Sequence, residues 1–266
     1  MKKIIHMLFM TSNIILLVWN VDAYAAPAPI ITSTQARDDR ADNSYGIGFT
    51  TSIAERPFIG VDDQNTSLVY LSYKYKQFYI EGLDVGFNLY NDKTFYIDLL
   101  GTPRFYEVEP SFADNGELDG IDKTRPSYFA GLSFQLTTDL ATYTVQLLHD
   151  LIESDGNEAV VQVSKSIRIS NDFSLIPSVG LTYQDARLVD YYYGVQPHEV
   201  TAGRAQYSGK GSLNYNATLN ANWNVTKHIE LLGQIKFDKL GDGIFDSTIV
   251  DNDTLLSYTI GAVYRF

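Results

Sequence analysis

The sequence predicts an all-β protein, an antiparallel up-and-down barrel that spans a membrane, with ten strands favoured over twelve. Three observations predict it. In residues 254–266, Leu256, Tyr258, Ile260, Ala262, Tyr264 and Phe266 share one parity. Ser257, Thr259, Gly261 and Arg265 hold the other, with Val263 the exception. A period of two is a strand with one apolar and one wet face. The stretch 208–224 sets Leu213, Tyr215, Leu219 and Trp223 against a row of amides at Asn214, Asn216, Asn220, Asn222 and Asn224. A dry core has no use for such a row, whereas a watery lumen does. Third, short turns alternate with long loops along the chain, as in barrels whose two rims face different compartments.

The elements follow in order. Lys2 and Lys3 precede an apolar run over residues 4–19, and Ala23-Tyr24-Ala25 offers small residues for cleavage. Residues 1–25 therefore read as a signal peptide. Its removal takes away two lysines and one aspartate, so the formal net charge of −12 becomes −13. An acidic chain argues against nucleic-acid partners. The chain has no cysteine, so neither disulfides nor thiolate chemistry are available. No later segment reaches the ~20 apolar residues of a spanning helix, which leaves a closed barrel as the membrane-spanning form.

Residues 26–43 carry proline and charge without periodicity and read as a flexible periplasmic lead-in. The barrel is expected over 44–266. Residues 44–53 alternate, and 54–66 form a loop with Pro57, Gly60, Asp62 and Asp63. In 67–90, Val69, Leu71, Tyr73, Tyr75, Tyr79, Leu83, Val85, Phe87 and Leu89 all share one parity. Unbroken parity favours one long strand and a total of ten. Its length exceeds the ~10 residues that a bilayer needs, which would instead suit three strands, with turns near Lys76-Gln77 and Glu81-Gly82, and a total of twelve. Strands follow at 94–106, 126–137, 140–150, 158–170, 173–184, 208–224 and 227–239, then the terminal one. Long loops are expected at 107–125, 185–207 and 240–253. Many of the 19 tyrosines and 14 phenylalanines sit near strand ends, as an interfacial girdle would.

Few residues suggest chemistry. His149-Asp150 ends a strand as a rim pair, yet no nucleophile can be placed beside it, and it reads as an interfacial histidine next to a loop acid. His198 and His228 read as ordinary polar residues, and no metal-ligand spacing appears. The acid-rich stretches at 62–63, 114–122 and 242–253 lack the fixed spacing of a calcium loop. No catalytic, cofactor or metal residue is assigned. Tyr191-Tyr192-Tyr193-Gly194-Val195 reads as a packed plug of the longest loop rather than an exposed recognition surface. Asp98, Arg104, Arg168, Glu230 and Lys236, with Asp84 and Asp238, are expected to point into the lumen as cross-lumen ion pairs or as the lining of a narrow pore.

Tyr258, Ile260, Tyr264 and Phe266, ending on an aromatic, resemble the carboxy-terminal signal that the barrel assembly machinery of Gram-negative bacteria reads. Four further segments resemble the MipA/OmpV family of outer-membrane proteins. They are residues 78–87, Leu118-Asp119-Gly120-Ile121-Asp122 with Arg125, Gln184-Asp185-Ala186 followed by residues 190–195, and Asp246-Ser247-Thr248-Ile249-Val250. Ile121 and Thr248 depart from the family's usual methionine and proline. The resemblance spans roughly residues 44–266. It implies an outer-membrane barrel among lipid and lipopolysaccharide, with no family catalytic residue to carry over. The chain is expected to be monomeric and non-enzymatic, and the alternation of short turns with long loops puts both termini in the periplasm. One branch of the family is named for interaction with a lytic transglycosylase, MltA, and is described as joining it to a peptidoglycan synthase. The expected role is a scaffold of the cell envelope, with a narrow porin-like channel for small solutes as the alternative.

Overall fold

In the computed structural model the described residues run from Asn43 to Phe266. The expected signal peptide (1–25) and lead-in (26–43) lie outside them, save Asn43, which already opens the first strand. The strands are β1 (Asn43–Ala54), β2 (Gln64–Tyr75), β3 (Phe78–Gly82), β4 (Asp84–Asn91), β5 (Phe95–Arg104), β6 (Ser127–Thr137) and β7 (Thr142–Asp150). They continue as β8 (Asn157–Ser164), β9 (Ile167–Arg168), β10 (Phe173–Gln184), β11 (Ser212–Asn224), β12 (Ile229–Lys239) and β13 (Thr254–Arg265). All pairings are antiparallel, and β13 meets β1 while β10 meets β11, so the sheet closes on itself.

Strands β8 and β9 fill one position in the wall. Both oppose β10 in a single register, Ser164 facing Ser178 and Ile167 facing Leu175. Between them the Lys165 N–H donates to the Pro177 carbonyl at 3.1 Å. Proline has no N–H to return, so the ladder is interrupted there while the strand continues. The barrel therefore has twelve strands, not the favoured ten.

The difference lies in residues 67–90, which form three strands. Two-residue turns at Lys76-Gln77 and Gly82-Leu83 join them, with Lys76 at φ 54° and Gly82 at φ 64°. Tight hairpins require such left-handed residues. In each, the flanking residues oppose one another and share a face: Tyr75 faces Phe78, and Glu81 faces Asp84. Each turn thus switches the parity of the outward face. Two switches cancel, which is why parity looked unbroken from Val69 to Leu89. Only the middle strand betrays them, because Tyr79 points inward and is buried. Its ring lies against Gly86, where a Cβ would come within 2.0 Å of Tyr79 Cζ.

Outward side chains form the apolar belt that lipid requires. Tyr45, Ile47 and Phe49 on β1, Leu213, Tyr215 and Trp223 on β11, and Ile260 on β13 are all exposed. In water such a surface would be an aggregation hazard, whereas in a bilayer it is the stable arrangement. Inward positions are polar, as with Ser52, Thr259, Asn220, Asn222 and Gln234. At the rim of short turns, outward aromatics cluster. Tyr45 stacks on Phe266 at 5.3 Å, Tyr264 meets Phe266 at 5.1 Å, and His228 stacks on Tyr264 at 5.7 Å.

The opposite rim carries the long loops, and they are not loose. The longest of the expected loops, 185–207, contains helix α1 (Ala186–Tyr193), and the last loop contains a short helix α2 (Asp242–Phe245). The Asp185 side chain caps α1 by accepting from Leu188 N–H at 3.0 Å. Together the loops build a buried apolar cluster that includes Phe58, Val108, Leu118, Leu188, Tyr192 and Ile249. The larger apolar core among the described residues thus lies in this cap, above the barrel mouth.

Asp185 makes the cap sensitive to acid. Burial alone would raise its carboxyl, but the Leu188 and Asn157 N–H groups, the Asn157 amide and nearby Arg187 hold it below the usual aspartate range. A depressed carboxyl contributes stability that is present above the unfolded value of about 3.9 and lost as pH falls through the folded value. Proteolysis of residues 185–211 is therefore expected to accelerate only below about pH 4. Asp185→Asn should already show the faster cleavage at pH 7 and gain less from acidification. Equal acid sensitivity in both proteins would remove Asp185 as the cause.

A capped polar lumen as the candidate functional site

The lumen's charged groups fall into two layers. Near the turn rim, Arg265 reaches across from β13. Its Nε donates to Glu230 Oε2 at 2.7 Å, and its Nη1 donates to Ser72 Oγ at 2.8 Å. Tyr70 and Ser72 hydroxyls both donate to Glu81. Asp98 accepts from the Asn88 amide at 2.7 Å and from Tyr79 Oη at 3.3 Å. Alternation puts these side chains inside, and the β2–β3–β4 hairpins bring Ser72, Glu81 and Tyr79 to adjacent positions.

The second layer lies under the cap. Arg104, at the end of β5, donates through Nε to Glu158 Oε1 at 2.9 Å and through Nη1 to Thr102 Oγ1 at 2.8 Å. Tyr106 Oη donates to Glu158 Oε2 at 2.6 Å. Gln184 donates to the same oxygen, and Asn214 donates to Gln184. The side chains of Arg104 and Glu158 are only 14% and 1% exposed. A buried charge needs both a partner and hydrogen bonds, and here Glu158 has three donors around it. Beside this layer Lys236 pairs with Asp238 at 2.8 Å. Arg56 donates to the carbonyls of Phe105 and Glu107.

Of the expected lumen charges, Asp98, Arg104, Glu230 and Lys236 face inside, split between the two layers. Arg168 is exposed near the turn rim, opposite Ser174. Tyr258, Ile260, Tyr264 and Phe266 lie exposed on the outer face. Tyr192, Tyr193 and Val195 are buried in the cap and Tyr191 half-buried, with Gly194 ending α1. The Tyr191 phenol donates to Glu153, and burial with that bond pushes it up to about 12. His149 and Asp150 are neighbours in sequence but not in space: Asp150 is buried under the Ser127 and Ser154 hydroxyls, while His149 faces outward to Asp155 and Asn157. Adjacent strand residues point to opposite faces, so no dyad can form there.

Several contributors had no periodic signal. Arg204 is buried and donates to the carbonyls of Glu117, Asp119 and Glu199, which stitches two loops together. Glu199 accepts from the N–H groups of Asp122 and Gln196, each at 2.6 Å. With His198 and Asp122 it forms a trio whose polar atoms lie within 4.8 Å of one another, and both of its own oxygens serve this loop clasp.

A closed antiparallel barrel with a lipid-compatible exterior and a polar interior defines an outer-membrane β-barrel protein. The family profile described as "MltA-interacting protein MipA" matches residues 47–266, and the chain belongs to that family. It is 24% identical to the putative outer membrane protein YiaT of Escherichia coli K12, covering 84% of this chain and 92% of that one. It is 22% identical to the MltA-interacting protein of the same strain, covering 89% and 96%. Outer membrane protein OmpV of Vibrio cholerae is 28% identical over 55% of this chain and 57% of its own length.

Proposed function

We propose that this barrel is a non-enzymatic interaction protein of the cell envelope, a scaffold whose termini and short turns face the periplasm. The observation that carries this reading is the packing of the loop rim. A cap with its own apolar core sits over a buried Arg104–Glu158 layer, which favours a sealed body over a conduit. The name of the MltA-interacting relative supplies the partner class, a lytic transglycosylase; a peptidoglycan synthase is the second. No cofactor enters this role. The docking surfaces on this reading are the turns around Lys76-Gln77 and Asn91–Lys93, together with residues 26–43.

The unbroken polar row of β11 supports a second reading, a narrow channel for small solutes. Two measurements separate them. In planar bilayers the purified barrel is expected to be silent, and steady small conductance steps that change in Asp98→Asn would favour the channel. In crosslinked envelopes a lytic transglycosylase should co-purify and be lost on deleting residues 26–43 or exchanging the turns. Retention of the partner in all of these variants would remove the scaffold surface named here.

A further inference from the structure

Beneath the cap lies a cavity of about 150 Å³, bounded on the strand side by Thr182, Lys236 and Asp238 and on the cap side by Arg56, Tyr106 and Tyr193. Tyr193 is the informative wall. Only 4% of it is exposed, and its ring stacks on Phe58 at 5.6 Å. The Arg56 guanidinium lies over the same Phe58 ring. The Tyr193 hydroxyl feels the charges of Arg56, Glu107, Asp238 and Glu158. It makes no hydrogen bond among the described residues, although Tyr191 and Tyr192 on the same helix each donate to a named acceptor. The hydroxyl thus opens on the chamber, and on the same wall Arg56 Nε is buried without a hydrogen-bond partner among the described residues, where a buried polar group ordinarily finds one.

The lining states what that partner is. Its charged groups are Glu55, Arg56, Lys236 and Asp238, two of each sign. Lys236 and Asp238 neutralise each other at 2.8 Å. The lining is therefore neutral as a whole, and an ionic guest would bring a net charge that it does not offset, at the cost that burial imposes on unpaired ions. A guest with many neutral hydroxyls would meet alternating donors and acceptors. The aromatic walls of Phe105 and Tyr106 add an apolar face for C–H groups. The volume is below the roughly 300 Å³ at which drug-sized pockets begin, so it suits a single ring and not a chain of them.

We infer that this chamber is a binding site for a small neutral polyhydroxy compound of the size of one sugar ring, held between Tyr193 of the cap and Lys236 and Asp238 of the barrel wall. The site is independent of the scaffold reading, so failure of partner co-purification and failure of ligand binding are separate results.

The test is calorimetric titration of the refolded full barrel in detergent with glucose. Glucuronate and glucosamine serve as charged probes of the same ring size. Saturable glucose binding is expected, with each charged sugar at least tenfold weaker. Tyr193→Phe keeps the stacked ring and should weaken glucose binding about tenfold without altering thermal unfolding. Lys236→Gln, on the strand side, should weaken it similarly without touching the cap. Absence of saturable glucose binding would overturn the proposal. So would a charged sugar that binds as tightly as glucose, or full affinity in both variants.

Discussion

Replacing Glu158 with alanine is expected to destabilise the barrel by about 3–5 kcal/mol, the usual cost of stripping one partner from a buried ion pair. Arg104 would be left under the cap with a charge it cannot neutralise, having lost its 2.9 Å and 2.8 Å contacts. Tyr106 Oη and the Gln184 amide would lose their acceptor at the same time. The double variant Arg104→Met with Glu158→Ala should cost less than either of these single changes, because it removes the desolvated charges together. Urea unfolding of the refolded protein reads all four corners of this cycle. Additive costs would mean that the pair is not coupled and that the layer is held by its neighbours.

Tyr192→Ala should act on the cap and spare the barrel. Tyr192 is among the most buried side chains, meeting Tyr191 edge-on at 4.8 Å and Tyr106 at 5.7 Å. Its hydroxyl donates to the Arg125 carbonyl at 3.1 Å. Truncating a large buried aromatic typically costs about 3–5 kcal/mol. The cap's core is separate from the lipid-facing belt, so the loss should appear as local opening. Protease should then cut within 185–211 while the heat-modifiable gel shift of the intact barrel persists. If the cap seals the lumen, this variant should also conduct in planar bilayers where the parent is silent. Tyr192→Phe forfeits only the hydrogen bond, about 1 kcal/mol, and should stay closed. A variant that remains uncut and silent would show that α1 does not hold the lid.

How much of this was legible in residue order differs by region. The wall of the barrel was legible wherever one strand ran from rim to rim. In β11 the amides and the apolar residues alternate without a break, and the structure keeps every one of them on its expected side. In the β2–β4 region the same signal misled. Parity is a local property of a strand, and a two-residue turn reverses it; of the two turns here only the second carries a mark in composition, Gly82. Lys76, with its positive φ, is not a residue type that announces a turn.

The cap was mostly illegible. Leu188, Val189, Tyr192 and Tyr193 do fall at helical spacing behind an Asp cap, but eight residues rich in tyrosine also suit a strand or a loop. Arg204 and Glu199 carried no signal, because their partners are backbone carbonyls and N–H groups of other loops.

Sequence alone settled the membrane-spanning barrel, its two-faced strands and its family, because each of these is written in short-range alternation or in local segments. Tertiary structure decided the strand count, the pairing of Arg104 with Glu158 and the packing of the loops into a cap. These depend on which distant residues share a height and a face once the sheet has closed, a long-range condition that no local period encodes.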